Sequence, residues 1–394
     1  MCFTFPWTFP DFNIHSGPLL ILVLQGLIFV TLLFIRYFKQ KRPSDLFLAL
    51  LLFVVCYEQI CYTVGFMGWY NTYRNTKINY WLIPMTVGIA PLIYWYVKSI
   101  TTSNFKFKKR DLWHFSPAIL LVVYRIIIFT YDALQPGFQD TQNGYLKIHV
   151  DEAFGQILIS FLGFTVMLLY LAFTFQLFYQ YRKKINAYFS NTFKLELNWI
   201  LSFLIVFTML FLYDSVQTFV SSLLVEMSYT QQYWLNIFMA LIVLYVGVRG
   251  YFTDTSKLQN INFDFSPTSD TIKINTHSSN NIEKEVLFLK DYMNNEKPYL
   301  DPELNLISLS KKLNFSRAKL SEIINDGFEK NFNDFVNTYR VNAVKSMLEE
   351  GKQNQLSLLG IALECGFNSK ATFNRVFKKL TQQSPTQYVA SVAK

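Results

Sequence analysis

Charge is scarce in this chain. Of its 394 residues only 16% are Asp, Glu, Lys or Arg, against about a quarter in an ordinary soluble protein, which argues against a single water-soluble globule. Cysteine is scarcer still: Cys2, Cys56, Cys61 and Cys365 are the only four, and they offer no staple pattern. A disulfide-bonded secreted scaffold is excluded, and reducing surroundings are expected for the carboxyl-terminal part. The four histidines, His15, His114, His149 and His277, stand at no metal-ligand spacing. Gly-rich phosphate loops, nucleophile elbows and paired-carboxylate sites are missing as well. Neither an enzyme activity nor a cofactor or metal is expected. No basic stretch precedes the first apolar run, so the amino terminus does not read as a cleaved signal peptide.

What the chain has in quantity is apolar surface. Hydrophobic residues make up 52% and aromatic residues 18%, with 39 Phe and 24 Tyr. They fill residues 17–252, whereas nearly every acidic residue lies outside those runs or after 253. Seven stretches approach the ~20 residues needed to cross a bilayer: Gly17–Ile35, Ser44–Phe66, Tyr80–Val97, Leu112–Tyr131, Phe154–Tyr179, Trp199–Val225 and Tyr233–Phe252. Pro84 and Pro91 mark the third as kinked, which membrane helices tolerate where neighbours satisfy the freed backbone groups.

Lys and Arg bias orients such a domain. Arg36, Lys39, Lys41 and Arg42 follow the first stretch; Lys98, Lys106, Lys108, Lys109 and Arg110 follow the third; Arg182, Lys183, Lys184 and Lys194 follow the fifth. The intervening loops hold Arg74 and Lys77, then Lys147, then none. This alternation predicts an outer amino terminus and, after seven crossings, a cytoplasmic carboxyl terminus. The net charge of +9 fits both basic membrane loops and a nucleic-acid face.

Residues 253–281 are rich in Ser, Thr, Asn and Asp and read as a flexible linker, with Asn280 or Asn281 capping a helix that begins near Ile282. Two helix-turn-helix patterns follow, at about 305–325 and 357–380. In the first, Leu309, Leu313, Phe315, Leu320 and Ile323 are the packing positions, Ser310 is the small residue at the helix crossing, and Asn314 occupies the turn position that favours a left-handed backbone. In the second, Ile361, Cys365, Phe367, Phe373 and Val376 repeat the arrangement, with Ala362 at the crossing and Gly366 in the turn. Phe335, Tyr339, Ala343 and Leu348 support one long helix between them, which would hold the two units at the separation needed to read successive major-groove faces.

On these residues the segment 282–394 resembles the AraC family of bacterial transcriptional regulators. The run Ile361-Ala-Leu-Glu-Cys-Gly-Phe-Asn-Ser-Lys-Ala-Thr-Phe-Asn-Arg-Val-Phe-Lys-Lys379 follows that family's signature, Ser384-Pro385-Thr-Gln-Tyr388 matches its ending, and Tyr339-Arg340 looks like its linker helix. Gln383, where the family usually has Gly, departs from it, as does the lack of the family's usual soluble sensor domain.

The resemblance implies that the second helix of each unit enters a major groove. Its outer face would be Ser316, Arg317, Ala318, Ser321 and Glu322 in the first unit, and Lys370, Ala371, Thr372, Asn374 and Arg375 in the second. Arg375 suits guanine and Asn374 adenine, while Glu322 can accept from cytosine. Lys319, Lys378 and Lys379 are read as phosphate contacts.

Three ionisable residues lie inside apolar runs: Glu58, Arg125 and Asp214. Counted from the cytoplasmic ends of their spans, they share a layer roughly 20 Å deep. Single burial of each would cost at least ~2.5–3.5 kcal/mol, so either an outward-facing ligand pocket or a structural ion pair is expected of them.

The expected architecture is therefore all-α. A seven-span membrane domain (1–252) and a linker (253–281) precede an AraC-like domain (282–394) of two helix-turn-helix units joined by a long helix. The expected function is that of a membrane-tethered one-component transcription regulator of the bacterial cytoplasmic membrane. Its partners would be promoter DNA, the bilayer, a small-molecule or membrane-borne signal, and a second copy of itself. The alternative, a transporter or channel-like protein with a regulatory DNA-binding tail, would call for paired Gly or Pro interruptions in its spans, and only the third span has them.

Overall fold

A computed structural model describes residues 9–79, 83, 85–102, 105–139, 141–192, 195–223, 230–253 and 279–392. Almost all of them are helical. The chain divides into two compact units, one of Met1–Phe178 with Asn198–Phe265, the other of Tyr179–Leu197 with Ser266–Lys394. The second unit thus recruits a segment that the sequence places between the fifth and sixth apolar runs.

The first unit contains α1 (Ser16–Gln40), α2 (Pro43–Phe66), α3 (Ile89–Thr101), α4 (Ser116–Leu134), α5 (Gln156–Tyr188, shared with the second unit from Tyr179), α6 (Asn198–Leu223) and α7 (Tyr233–Phe252). The break between α1 and α2 has a local cause. Lys41 adopts a left-handed backbone, φ 54°, and its amide caps the Tyr37 carbonyl; Pro43 then opens α2 where a missing N–H costs nothing. Among the described residues six helical stretches are long and apolar enough to cross a membrane, one fewer than expected. They correspond to all the expected spans except the third. There α3 has 13 residues, about 20 Å of helix, preceded by a short turn over Thr86–Gly88. Tyr80 and Pro84, the expected start and kink of that span, lie outside the described residues. Pro91 sits in the first turn of α3, and Trp95 and Tyr96 are among the most deeply buried side chains of the molecule.

Two clusters fix the direction of the helices. At the start of α1 the His15 ring lies 4.9 Å from that of Tyr233, the first residue of α7, and 5.2 Å from Phe66 at the end of α2. At the other end Arg36 grips Asp45 through Nε at 2.7 Å and Nη2 at 2.6 Å, and donates to the carbonyls of Gly250 and Tyr251. A cation thereby meets the orphan carbonyls at the end of α7. α1 and α7 are parallel, and α2 runs against both. Residues Arg74–Asn75 pair in parallel with Thr141–Gln142, joining the loop after α2 to the loop after α4.

The three intramembrane charges do not form one cluster. Arg125 Nη1 lies 2.8 Å from Asp151 Oδ2, whose side chain is 0% exposed, and the Tyr124 hydroxyl donates to the same carboxylate at 3.3 Å. Asp151 stands outside the apolar run, but a π-helical extension over Lys147–Gly155 carries it to the head of α5. Glu58 instead accepts from the Met85 amide, and Glu58 and Asp214 line a common cavity.

The second unit holds α8 (Ser279–Asn295), α9 (Leu306–Lys312), α10 (Arg317–Glu322), α11 (Phe332–Glu349), α12 (Leu358–Glu364), α13 (Lys370–Thr381) and α14 (Pro385–Val392). α8 starts before Asn280 and Asn281, so neither is its cap; the body of the expected linker, residues 254–278, lies outside the described residues. Each of α9 to α13 begins at a side chain that accepts from the helix's own first turn: Asn305, Ser316, Asn331, Ser357 and Ser369. Both expected turn residues are left-handed, Asn314 at φ 54° and Gly366 at φ 86°. Leu309, Leu320 and Ile323 are buried in a first core with Phe332 and Phe335. Ile361, Cys365, Phe367 and Phe373 are buried in a second with Val344 and Leu348. α11 supplies residues to both.

At α11's midpoint the Arg340 side chain is buried, with the residue 1% exposed. Its Nε donates to the Tyr299 carbonyl at 2.8 Å and its Nη2 to the Asp301 carbonyl at 2.7 Å and the Ser190 hydroxyl at 3.1 Å. Burial brings its pKa down to about 10. A Cβ at Gly366 would stand 2.3 Å from the Tyr299 carbonyl oxygen and 3.0 Å from Arg340 Nε. Gly366→Ala should therefore destabilise the second unit by roughly 3 kcal/mol or more, adding left-handed strain to a backbone clash. Gly351→Ala is the control: its φ is +75° but its surroundings are open, with the nearest atom at 3.7 Å, and the loss should stay near ~1 kcal/mol. Thermal unfolding of the full chain in detergent compares the two.

Candidate DNA-binding interface

The second helix of each pair has one face in the core and one outside it. In α10, Leu320 is buried, while Arg317, Ala318 and Glu322 are exposed. Ser321 is half-buried and its hydroxyl accepts from Asn325 at 3.2 Å. Lys319 is not free in this arrangement: its ammonium lies 2.9 Å from Glu285 on α8 and 3.5 Å from Glu322. The hydrogen bond to Glu285, above all, raises its pKa.

In α13, Phe373, Val376 and Phe377 face the core, and Lys370, Ala371, Asn374, Arg375, Lys378 and Lys379 are exposed. Thr372 departs from the expected outer face. It is 4% exposed, because Ser369 caps α13 by accepting its amide at 3.2 Å and donates to its hydroxyl at 2.9 Å. A residue at that helical position is committed to the cap, and its side chain is turned inward with it. Lys379 reaches Asp334 on α11 at 2.6 Å.

Arg375 makes the contact that sequence reasoning missed. Its Nη2 lies 2.8 Å from Oε1 of Glu196, whose side chain is only 5% exposed. The same carboxylate takes Arg182 Nη2 at 3.2 Å and the Thr192 hydroxyl at 2.7 Å. Residues 179–197 are anchored further by Ser190. Its hydroxyl donates to the Leu304 carbonyl at 2.6 Å, and its own carbonyl accepts from Asn333 at 2.8 Å. Phe189 bridges to Asn305. The only available signal was Glu196 itself, an acid in an otherwise basic stretch; its partner lies 179 positions away in sequence. Among the described residues no group of three or more His, Cys, Asp or Glu side chains is arranged to hold a metal ion. Exposed cations and amides at the outer edge of two short helices suit a polyanion and base edges instead.

Comparison with known proteins follows the same division. A family model described as a helix-turn-helix domain matches residues 309–391. An uncharacterized HTH-type transcriptional regulator of Staphylococcus aureus (strain COL) is 35% identical over 86 residues, 22% of this chain and 11% of that protein. One from strain N315 shares the same figures. Another, from Haemophilus influenzae, is 36% identical over 85 residues, 22% of this chain and 28% of its own length. The chain thus spans only about a tenth to a quarter of the curated relatives it matches. No solved structure matches the chain significantly. After the helices of its amino-terminal part, the chain carries an AraC-type helix-turn-helix domain, the DNA-binding module of transcriptional regulators.

Proposed function

We propose that the protein is a membrane-tethered, one-component transcription regulator. Its apolar helices sense a signal, and its carboxyl-terminal domain reads a promoter site in the cytoplasm. The observation that carries this reading is the Arg375–Glu196 pair. The arginine best suited to a guanine edge is held by an acid two residues upstream of α6 (Asn198–Leu223), in a segment covalently continuous with the ends of α5 and α6. A change in those helices has a direct route to the residue that reads DNA.

Seven crossings remain the topology best supported. Six would leave the first and last spans antiparallel; α1 and α7 are parallel, with both starts at one cluster and both ends at another. The paired loops after α2 and after α4 likewise call for two passages between them, so the short α3 is assigned one. With the basic loops inside, the ends of α1 and α7 face the cytoplasm, and the helix-turn-helix domain follows them there. Pairing of two chains would raise weak DNA affinity through effective concentration.

Electrophoretic mobility or anisotropy measurements with the full chain and a library of duplexes test the DNA-binding role. Arg375→Ala should cost about 1–3 kcal/mol at one base-pair position and relax preference there, whereas Lys378→Ala should weaken all sequences alike and lower the salt slope by about one. Uniform loss with Arg375→Ala would reassign that residue to a phosphate.

Glu196→Gln should release Arg375 and tighten specific binding by about threefold to tenfold, in keeping with the ~1 kcal/mol scale of a partly exposed pair. The gain should vanish in the Glu196→Gln/Arg375→Ala double variant. Equal DNA affinity for wild type and Glu196→Gln would remove the pair from regulation.

A further inference from the structure

The first unit carries an open cavity of about 950 Å³ whose chemistry is one-sided. Its walls come from α2, α5, α6, α7 and the chain around the start of α3. Two carboxylates, Glu58 and Asp214, line it, and among the described residues no Lys, Arg or His does. Arg125, the nearest candidate by depth in the sequence, is engaged with Asp151 instead. Most of the remaining wall is aromatic and aliphatic, including Phe161, Phe164 and Phe211.

A second observation is independent of the acids. Gln59 also lines the cavity, is 5% exposed, and its Oε1 has no hydrogen-bond partner. The orientation of that amide is fixed by a relay. Asn236 Nδ2 donates to the Gln232 carbonyl at 3.0 Å, so Asn236 turns its Oδ1 toward Gln59, and Gln59 must answer with Nε2 at 3.2 Å. The atom left over is an acceptor. A buried acceptor without a donor costs about 1–3 kcal/mol, and carboxylates on a largely apolar wall favour a cation beside them.

We infer that this cavity binds an organic ammonium ion carrying at least one N–H and an apolar body, with Glu58 and Asp214 as its counter-charges and Gln59 Oε1 as an acceptor. An inorganic cation would leave most of 950 Å³ and its aromatic wall unused. An anion would meet two carboxylates. A quaternary ammonium would offer Gln59 nothing to accept. The inference rests on the sensory role proposed above and names the class of signal.

The full chain reconstituted in phosphatidylcholine nanodiscs provides the test. Radiolabelled 2-phenylethylamine is the water-soluble probe, and dodecylamine is the one that partitions into the bilayer. Saturable, mutually competitive binding is expected, weakened about tenfold or more by Glu58→Gln and by Asp214→Asn. Dodecyl sulfate should not displace either probe. Gln59→Leu should weaken both amines and leave dodecyltrimethylammonium unaffected. The tighter of the two amines identifies the source, outside solution or lipid. Absence of saturable binding by both amines overturns the inference. So does unchanged affinity in both carboxylate variants, each eluting monodisperse like wild type, or displacement by dodecyl sulfate as effective as by dodecylamine. A DNA-binding readout on the same samples separates the two proposals. Amine binding that leaves DNA affinity unchanged keeps the ligand class and overturns the sensory role; DNA affinity that responds to other stimuli without amine binding does the reverse.

Discussion

A guanidinium with no water around it sets the terms for the second unit. Arg340 sits in the middle of α11, the helix common to both helix-turn-helix cores, and among the described residues no carboxylate forms a salt bridge with it, although the Asp301 charge favours its ionised form. Its partners are backbone carbonyls of Tyr299, Asp301 and Ser190 and the Ser190 hydroxyl. Burial of a cation is tolerable only where its donors are met, so two separate stretches of chain must bring acceptors and a third must leave room. The stretch before α9 brings Tyr299 and Asp301. The turn of the second helix-turn-helix must come close without a side chain, which is why Gly366 stands there. The segment 179–197 brings Ser190. Remove either stretch that supplies acceptors and donors of a buried charge go unanswered.

That constraint explains why a piece of chain from between two apolar helices folds with the carboxyl-terminal domain. Ser190 completes the shell of Arg340, and the same segment six residues on delivers Glu196 to Arg375. One contact is structural and buried; the other joins a nearly buried acid to a half-exposed arginine. The pairing has the asymmetry a switch needs: a firm anchor beside a contact weak enough to exchange for a guanine edge or a phosphate.

Features that depend on neighbours along the chain were legible in the sequence. The turn residues Asn314 and Gly366, the crossing residues Ser310 and Ala362, and the packing positions from Leu309 to Val376 all follow from helical period and from the turn's demand for a left-handed residue. Helices matching six of the seven expected spans followed from length and apolarity alone. What escaped was non-local or bent by a cap. Arg125 meets Asp151 only because a π-helical stretch continues α5 upstream of its apolar run. Arg375 meets Glu196 across 179 positions. Thr372 turns inward because Ser369 claims both its amide and its hydroxyl. The expected third span fails a window of apolar residues because α3 has only 13 residues, most of them buried.

The two proposals meet in α5 and α6. Both helices contribute walls to the acidic cavity, and residues 179–197, which carry Ser190 and Glu196, are the chain that joins them. A ligand alters an equilibrium only by binding its two states differently. Occupation of a chamber whose carboxylates and orphan amide await a cation would favour one spacing of these two helices over others. The connecting segment then has to accommodate that spacing. Its Ser190 end is held by a buried guanidinium that cannot be released cheaply, so the strain falls on the weaker contact. In the proposed scheme that contact is Glu196 with Arg375, and its release converts a signal in the bilayer into an arginine available to DNA.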